Sequence, residues 1–277
     1  GIRMDNGKRQ DVSGGWHDAS DLRKWVGATI YGMIGLSKVY ELDSHTGNNR
    51  SKLLEELLWG NQYFLKMQEP QGYIMNFVGG DVKKHSDSNR WTNNEPGPEG
   101  GELKFVKPTA GKSKADMLIF GSNDDRVIHT DPLDLVGQYN FITAEAIMTR
   151  ITKPTDCTYS LKCLDAARKC FDWCLTKNYN EQTSVIGASM HAAVEMYKTT
   201  GENKYKEFAV GQAAVLKKLQ VVNGTGIKGF FMTSVNSNEP YKNIWGGCLE
   251  IISLCEMVKL FPEHQNASDW KSIISSY

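Results

Sequence analysis

Apolar residues recur at steps of three and four along most of the chain. From Ala19 to Asp43 the positions Leu22, Trp25, Val26, Ile30, Met33, Ile34 and Tyr40 keep that helical period, and Asp18 is placed to cap its start. A second run, Ser51 to Gln68, carries Leu54, Leu57, Leu58, Phe64 and Met67. The stretch "HTGNN" between them makes a turn, so the two form a helical hairpin. From about Glu69 to Asp131 the period stops, and Gly, Pro, Asn and Asp take over. Loops of this length inside a compact domain are usually functional or disordered. The embedded Tyr73, Phe77, Trp91 and Phe105 argue against simple disorder. Helical period returns over Asp131–Arg150, Tyr159–Lys177, Ser184–Thr200 and Glu202–Val221. After a Gly-rich link, Asn223 to Asn243, come Ile244–Leu260 and a last helix opened by "NASDW" that runs to Tyr277.

This pattern predicts an all-α chain of about eight helices in four hairpins, with strand alternation nearly absent. Successive hairpins with long loops on one edge predict a helical toroid. A plain four-helix bundle needs neither so many helices nor a long loop after its first hairpin. Residues 1–277 then read as one toroid-like domain with a loop insertion at about 69–131. Loops at one end of a toroid form a cleft, which suits an extended substrate such as a sugar chain.

Charge narrows the partners. Lys plus Arg and Asp plus Glu each total 32, and no basic stripe appears, which argues against nucleic acid. No run of 18 or more apolar residues is present, so no membrane-spanning helix is expected. The chain opens with Gly1 rather than Met, so the lack of a signal peptide in it is uninformative. The six cysteines include no CxxC pair, and zinc is not expected. Cys163, Cys170 and Cys174 share one helix face, as do Cys248 and Cys255, the spacing of small core residues.

The densest chemistry lies in "DVSGGWHDASD", Asp11 to Asp21. On a helix, Asp18 and Asp21 would share one face, and the positive helix end would keep both ionised. Ionised carboxylates orient and deprotonate water, which is what the base of an inverting glycosidase does. Gly14-Gly15 permits a tight turn, and Trp16 offers a flat ring to a sugar face. The bland alternative makes Asp18 an N-cap and Asp21 a first-turn acid, both favoured by propensity alone.

The same stretch resembles the "D-x-SGGW-x-DAGD" signature of family 9 glycoside hydrolases, which are (α/α)6 toroids and largely β-glucanases. "LLEELLWGNQYFLKMQ" is similar to the family's second helix. "VGGDVKKHSDSNRWTNNEP" looks like its loop bearing a His, a Trp and a Pro-Glu. "MYKTTGENKY" and "IWGG" are similar to two later elements. The resemblance implies that Asp21 is the catalytic base and that Asp18 holds the same water. It implies that His85 and Trp91 line sugar subsites near the scissile bond, with Trp245 a weaker candidate. The competing reading is a surface-loop histidine for His85, a loop-anchoring aromatic for Trp91 and core packing at a helix start for Trp245.

Two departures stand out. Ser20 occupies a position where the signature has Gly, and Ser tolerates positive φ less well. The general-acid Glu and the His-Arg motif that the family keeps near the end of its domain do not appear in these residues. Glu95, Glu99, Glu102, Asp124, Asp125, Asp131 and Asp134 are read as loop acids or helix caps rather than as that acid. With only four hairpins, an open edge would need a further C-terminal segment or an oligomeric partner to cover it. Loop carboxylates can hold Ca²⁺, but no regular Ca²⁺-loop spacing is present, so no cofactor is expected. The leading expectation is a glycoside hydrolase acting on β-linked glycans by inversion, in a periplasmic or extracellular setting. The alternatives are a non-catalytic carbohydrate-binding protein on the same scaffold and a helical scaffold that only packs against a partner.

Overall fold

The computed structural model describes residues 2–4, 7–18, 23–42, 48–79, 104–105, 118–119, 127–179, 181–242 and 248–277. The chain divides into two compact units. One holds Gly1–Met33, Thr46–Glu69 and Ile74–Leu133; the other holds Ile34–His45, Pro70–Tyr73 and Asp134–Tyr277.

The second unit is made of the predicted hairpins. Helices α3 (Leu135–Thr152) and α5 (Thr183–Thr200) are buried almost all round, and their composition explains it. Both are rich in Ala, Gly, Thr, Met and Ile, with few large charged residues, so neither has a face suited to water. Helices α4 (Cys157–Leu175) and α6 (Asn203–Leu219) bury one stripe each. In α4 that stripe holds Cys163, Ala166, Ala167, Cys170, Phe171 and Cys174, so these cysteines are core residues as their spacing predicted. None of the six cysteines is in a disulfide among the described residues. Helix α3 packs on α4 and α5, α5 on α6 and α7 (Leu249–Leu260), and α7 on α8 (Ala267–Ser276). Local chemistry sets the ends. Asp134 Oδ1 accepts from Gly137 N at 2.8 Å and Asp156 Oδ1 from Tyr159 N at 2.9 Å, caps worth about 1 kcal/mol each. Gly201, at φ +71°, closes α5 in the left-handed conformation.

The first unit departs from the sequence reading. Helix α1 (Val26–Leu42) starts at Val26, not near Ala19, so Asp18 is not its N-cap. The residues just before it extend as β3 (Lys24–Trp25) and pair antiparallel with β4 (Met75–Gly79), Lys24 opposite Val78 and Trp25 opposite Phe77. Trp25 stacks on Phe77 with ring centroids 4.0 Å apart, and Phe77 stacks on His129 at 3.9 Å. Trp25 meets the helical period by coincidence; cross-strand ring packing holds it in a strand. Two further strands, β1 (Ile2–Met4) and β2 (Arg9–Gln10), come earlier in the chain. The long loop read over about 69–131 contributes β4 and β7 (Val127–Pro132), completing a five-stranded sheet of order β2-β1-β7-β4-β3. A separate pair, β5 (Lys104–Phe105) and β6 (Leu118–Ile119), runs antiparallel. Helix α2 (Asn48–Lys66) matches its predicted span. The class is all-α, with short strands beside the first hairpin.

Candidate active site

The course of Asp11 to Asp18 is dictated by α2. Gly14 (φ +91°) and Gly15 (φ +71°) turn the chain against that helix. A Cβ on Gly14 would lie 2.7 Å from Trp59 O, and one on Gly15 would lie 2.6 Å from the Tyr63 ring. Both positions therefore need glycine for conformation and for space. The main chain is hooked in place: Gly15 N donates to Trp59 O at 2.9 Å, and Trp59 Nε1 donates back to Gly15 O at 3.0 Å.

Trp16 is seated on the same helix. Its ring lies over Gly60, where any Cβ would collide with it, and meets Phe64 edge-on at 6.4 Å. Its indole N–H donates to the Glu56 carboxylate. Half-buried in this way, Trp16 has α2 against part of its ring.

Asp11, to which the sequence assigned no role, folds back on its own turn. Its Oδ1 accepts from Ser13 N at 3.0 Å, and its Oδ2 pairs with Lys66 Nζ at 2.8 Å. Lys66 also donates to Ser13 O at 3.2 Å. The Lys66 bond, then those of Ser13, hold the Asp11 carboxyl well below the usual carboxylate range.

Lys24 holds the segment from the buried side. Its Nζ donates to Val12 O at 2.7 Å and to Gly14 O at 2.6 Å, and lies 4.2 Å from the centre of the Tyr63 ring. Tyr63 in turn donates its hydroxyl to Lys24 O at 2.6 Å. Burial pushes the Tyr63 phenol far up, and the negative charge of Asp18 adds to the rise. Asp18 itself is exposed, in a bend rather than on a helix. His17 Nδ1 lies 3.0 Å from Arg23 O, across the residues that follow Asp18.

Of the predicted site residues, Trp16 and Asp18 fall in this segment. Asp21, His85, Trp91 and Trp245 lie outside the described residues, as do Ser20, Glu95, Glu99, Glu102, Asp124 and Asp125. Asp134 is the α3 cap, and Asp131, in β7, accepts from Asn76 Nδ2 at 3.1 Å. Sequence reasoning missed Lys24, Lys66, Trp59 and Tyr63. Their signal was faint: three of the four sit on α2, where they satisfy a helical pattern and read as core or solvated face. Among the described residues no group of three His, Cys, Asp or Glu could hold a metal ion, and no helix is long and apolar enough to cross a membrane.

Comparison with known proteins gives these features a setting. The sequence matches the model of glycosyl hydrolase family 9 over residues 2–274. It is 25% identical to Endoglucanase D of Acetivibrio thermocellus over 76% of this chain and 33% of that protein. The chain thus spans about a third of the length of the curated relatives it matches. Among solved structures, the endoglucanase of the termite Nasutitermes takasagoensis superposes with a TM-score of 0.63 at 18% identity, over 99% of this chain and 56% of that one. The cellulase Cel9M of C. cellulolyticum gives 0.63 at 15% identity, over 96% and 55%. Likeness at this level shows the fold, and it is the helical-hairpin (α/α) fold expected from the sequence.

Proposed function

Because the chain belongs to glycosyl hydrolase family 9, we propose that it carries the water-activating half of a glycosidase that cleaves β-linked glucans with inversion. In an inverting reaction one carboxylate takes a proton from water as the water oxygen attacks the anomeric carbon. A carboxylic acid on the opposite side protonates the departing oxygen as the glycosidic bond breaks. Asp21 is the base in this reading, and Asp18 holds the same water. Trp16, His85, Trp91 and Trp245 are candidate contacts to the sugar chain. The general acid is not assigned to any residue of this chain.

The observation that supports the reading best is the fixing of Val12 to Asp18. Main-chain hooks, two lysines and two obligatory glycines hold a short segment that ends in an exposed carboxylate. Catalytic groups must be held close to their productive geometry, and a plain helix start needs no such apparatus. A polysaccharide substrate places the enzyme outside the cytoplasm, in a periplasmic or extracellular setting.

The test is reducing-sugar release from soluble β-glucans by the chain and its Asp21→Ala variant. Loss of release by at least a hundredfold, with unchanged circular dichroism, is expected. Equal turnover by the two proteins removes the role given to Asp21. Calorimetric binding of β-glucan without any product from either protein moves the reading to a non-catalytic carbohydrate-binding protein.

A further inference from the structure

We propose that the cleft between α6 and the turn from α7 to α8 is a carbohydrate-binding site, built wholly from the second unit, that takes one end of a β-glucan chain. The choice of β-glucan as its ligand rests on the glycosidase reading above.

The turn is set by its own main chain. Phe261 N donates to Met257 O at 2.9 Å, His264 N to Phe261 O at 3.1 Å and Ala267 N to His264 O at 2.8 Å. His264 stacks on Trp270 with ring centroids 4.9 Å apart, and its Nδ1 accepts from Asn266 N at 3.2 Å. The neutral ring therefore carries its proton on Nε2. Phe261 is buried and meets Tyr197 edge-on at 5.0 Å. The Lys206 ammonium lies 4.8 Å from the centre of the Phe261 ring. With Glu263 and Gln265 these side chains line an open cleft of about 510 Å³, inside the range of roughly 300–1,000 Å³ usual for small-molecule sites.

The main chain of the turn is used, but its side chains are not. Among the described residues, Lys206 Nζ, the Glu263 carboxylate, His264 Nε2 and the Gln265 amide have no hydrogen-bond or ion-pair partner. Nearby lysines behave otherwise: Lys198 and Lys259 both pair with Glu256. Lys206 and Glu263 carry opposite charges on one cleft and form no ion pair, which leaves room for a ligand between them. Lys206 and His264 Nε2 donate, Glu263 accepts and Gln265 does both. A simple anion is attracted by Lys206 and repelled by Glu263, and a simple cation meets the reverse. A sugar hydroxyl donates and accepts, so a polyhydroxy ring can use all four side chains while its C–H face lies on the apolar floor. Because the turn is already fixed, little ordering cost is left to binding.

The experiment is an amide NMR titration of the full chain with the β-1,4-linked glucose tetramer, on an Asp21→Ala background so that the probe stays intact. Saturable shifts are expected at Lys206, Glu263 and Gln265. In the double variant Lys206→Met, Gln265→Ala, the affinity read at the cleft should fall about tenfold, the scale of losing one or two net hydrogen bonds. Met keeps the stem of Lys206 over Phe261, so the urea midpoint should hold. Glu263→Gln, which keeps the size of the side chain, should weaken binding by a smaller factor. Unchanged affinity in the double variant overturns the proposal, as does the absence of shifts at the cleft or their confinement to residues 11–18. Shifts of equal size with the linear polyol sorbitol overturn it too, since the floor then selects no ring. The glycosidase reading is decided separately, by reducing-sugar release from the wild-type chain. A cleft that binds the tetramer in a chain that releases no sugar upholds this site and defeats that reading.

Discussion

The two units use their cations in different ways. In the first, Lys24 donates to two main-chain oxygens, Val12 O and Gly14 O. In the second, three cations converge on one carboxylate. Glu195, with no exposed side-chain surface, takes Lys38 Nζ at 2.5 Å, Arg150 Nη2 at 2.6 Å and Lys198 Nζ at 3.1 Å. Glu41 and Glu256 bind the outer sides of Arg150 and Lys198. The residues belong to α1, α3, α5 and α7, so one hub fixes the register of four helices. A lysine on carbonyls sets the path of a backbone. A hub of charges sets helix against helix, and its strength follows pH.

The sharpest way to break that distinction is Glu195→Gln. Removing one member of a buried charge cluster costs about 3–5 kcal/mol, read from urea denaturation, and the loss should leave exchange at residues 11–18 untouched. The same region should carry the acid sensitivity of the chain. The three cations draw the Glu195 carboxyl down to about 2 against the opposing effect of burial, and burial lowers His191 to about 4. Both groups are depressed in the folded state. Their stabilisation is whole above the ordinary histidine value and is lost in two stages as pH falls. His191 accounts for the loss from about 6.5 to about 4, and Glu195 for the loss from its ordinary 4.5 to about 2. Thermal midpoints measured from pH 7 to pH 3 check the order, and His191→Gln should flatten the upper part of the slope.

A smaller effect tests the first unit. Gly60→Ala puts a methyl group into the Trp16 ring, and overpacking of this kind costs about 1–3 kcal/mol. Hydrogen exchange should show the change at residues 11–18, with the second unit unaltered. An alanine variant as stable as wild type, with those residues still protected, would mean that Trp16 does not need its seat on α2.

The smallest effect has the opposite sign. Glu250, in the first turn of α7, is fully buried against Gly187. Among the described residues neither of its carboxylate oxygens has a hydrogen-bond partner from another residue. Burial raises its pKa, so its cost is absent below the ordinary carboxylate range and grows as pH climbs through the raised value. Glu250→Gln should stabilise the chain by about 1 kcal/mol at pH 8, a usual size for a point substitution, and by nothing at pH 4. Equal midpoints at both pH values would show that Glu250 is not a liability.

Periodicity made the second unit legible. Helices α3 to α6 lie within a few residues of their predicted spans because each is long, regularly patterned and closed by cap chemistry visible in the sequence, such as Asp156 and Gly201. The start of α1 was not legible. Leu22, Trp25 and Val26 fit a helical step, and nothing local reveals that Phe77, far along the chain, pairs with Trp25. The strands escaped for the same reason: most have two or three residues, too few to show alternation, and their partners are distant. In the candidate site, Gly14 and Gly15 announced a tight turn, but its cause lies on α2, in Trp59 and Tyr63. Lys24 was invisible as a tether, since a lysine in a polar stretch looks like a solvated one.

The paired hook between Gly15 and Trp59 has an optical consequence. Trp59 keeps 49% of its surface open to water, yet its indole N–H is held by Gly15 O, and the indole N–H of Trp16 next along the chain is held by Glu56. Two fluorophores therefore report on the same few residues, each through a bond that ends when the segment lifts from α2. The native chain carries its own emission signal for the seating of that segment, and it needs no attached dye.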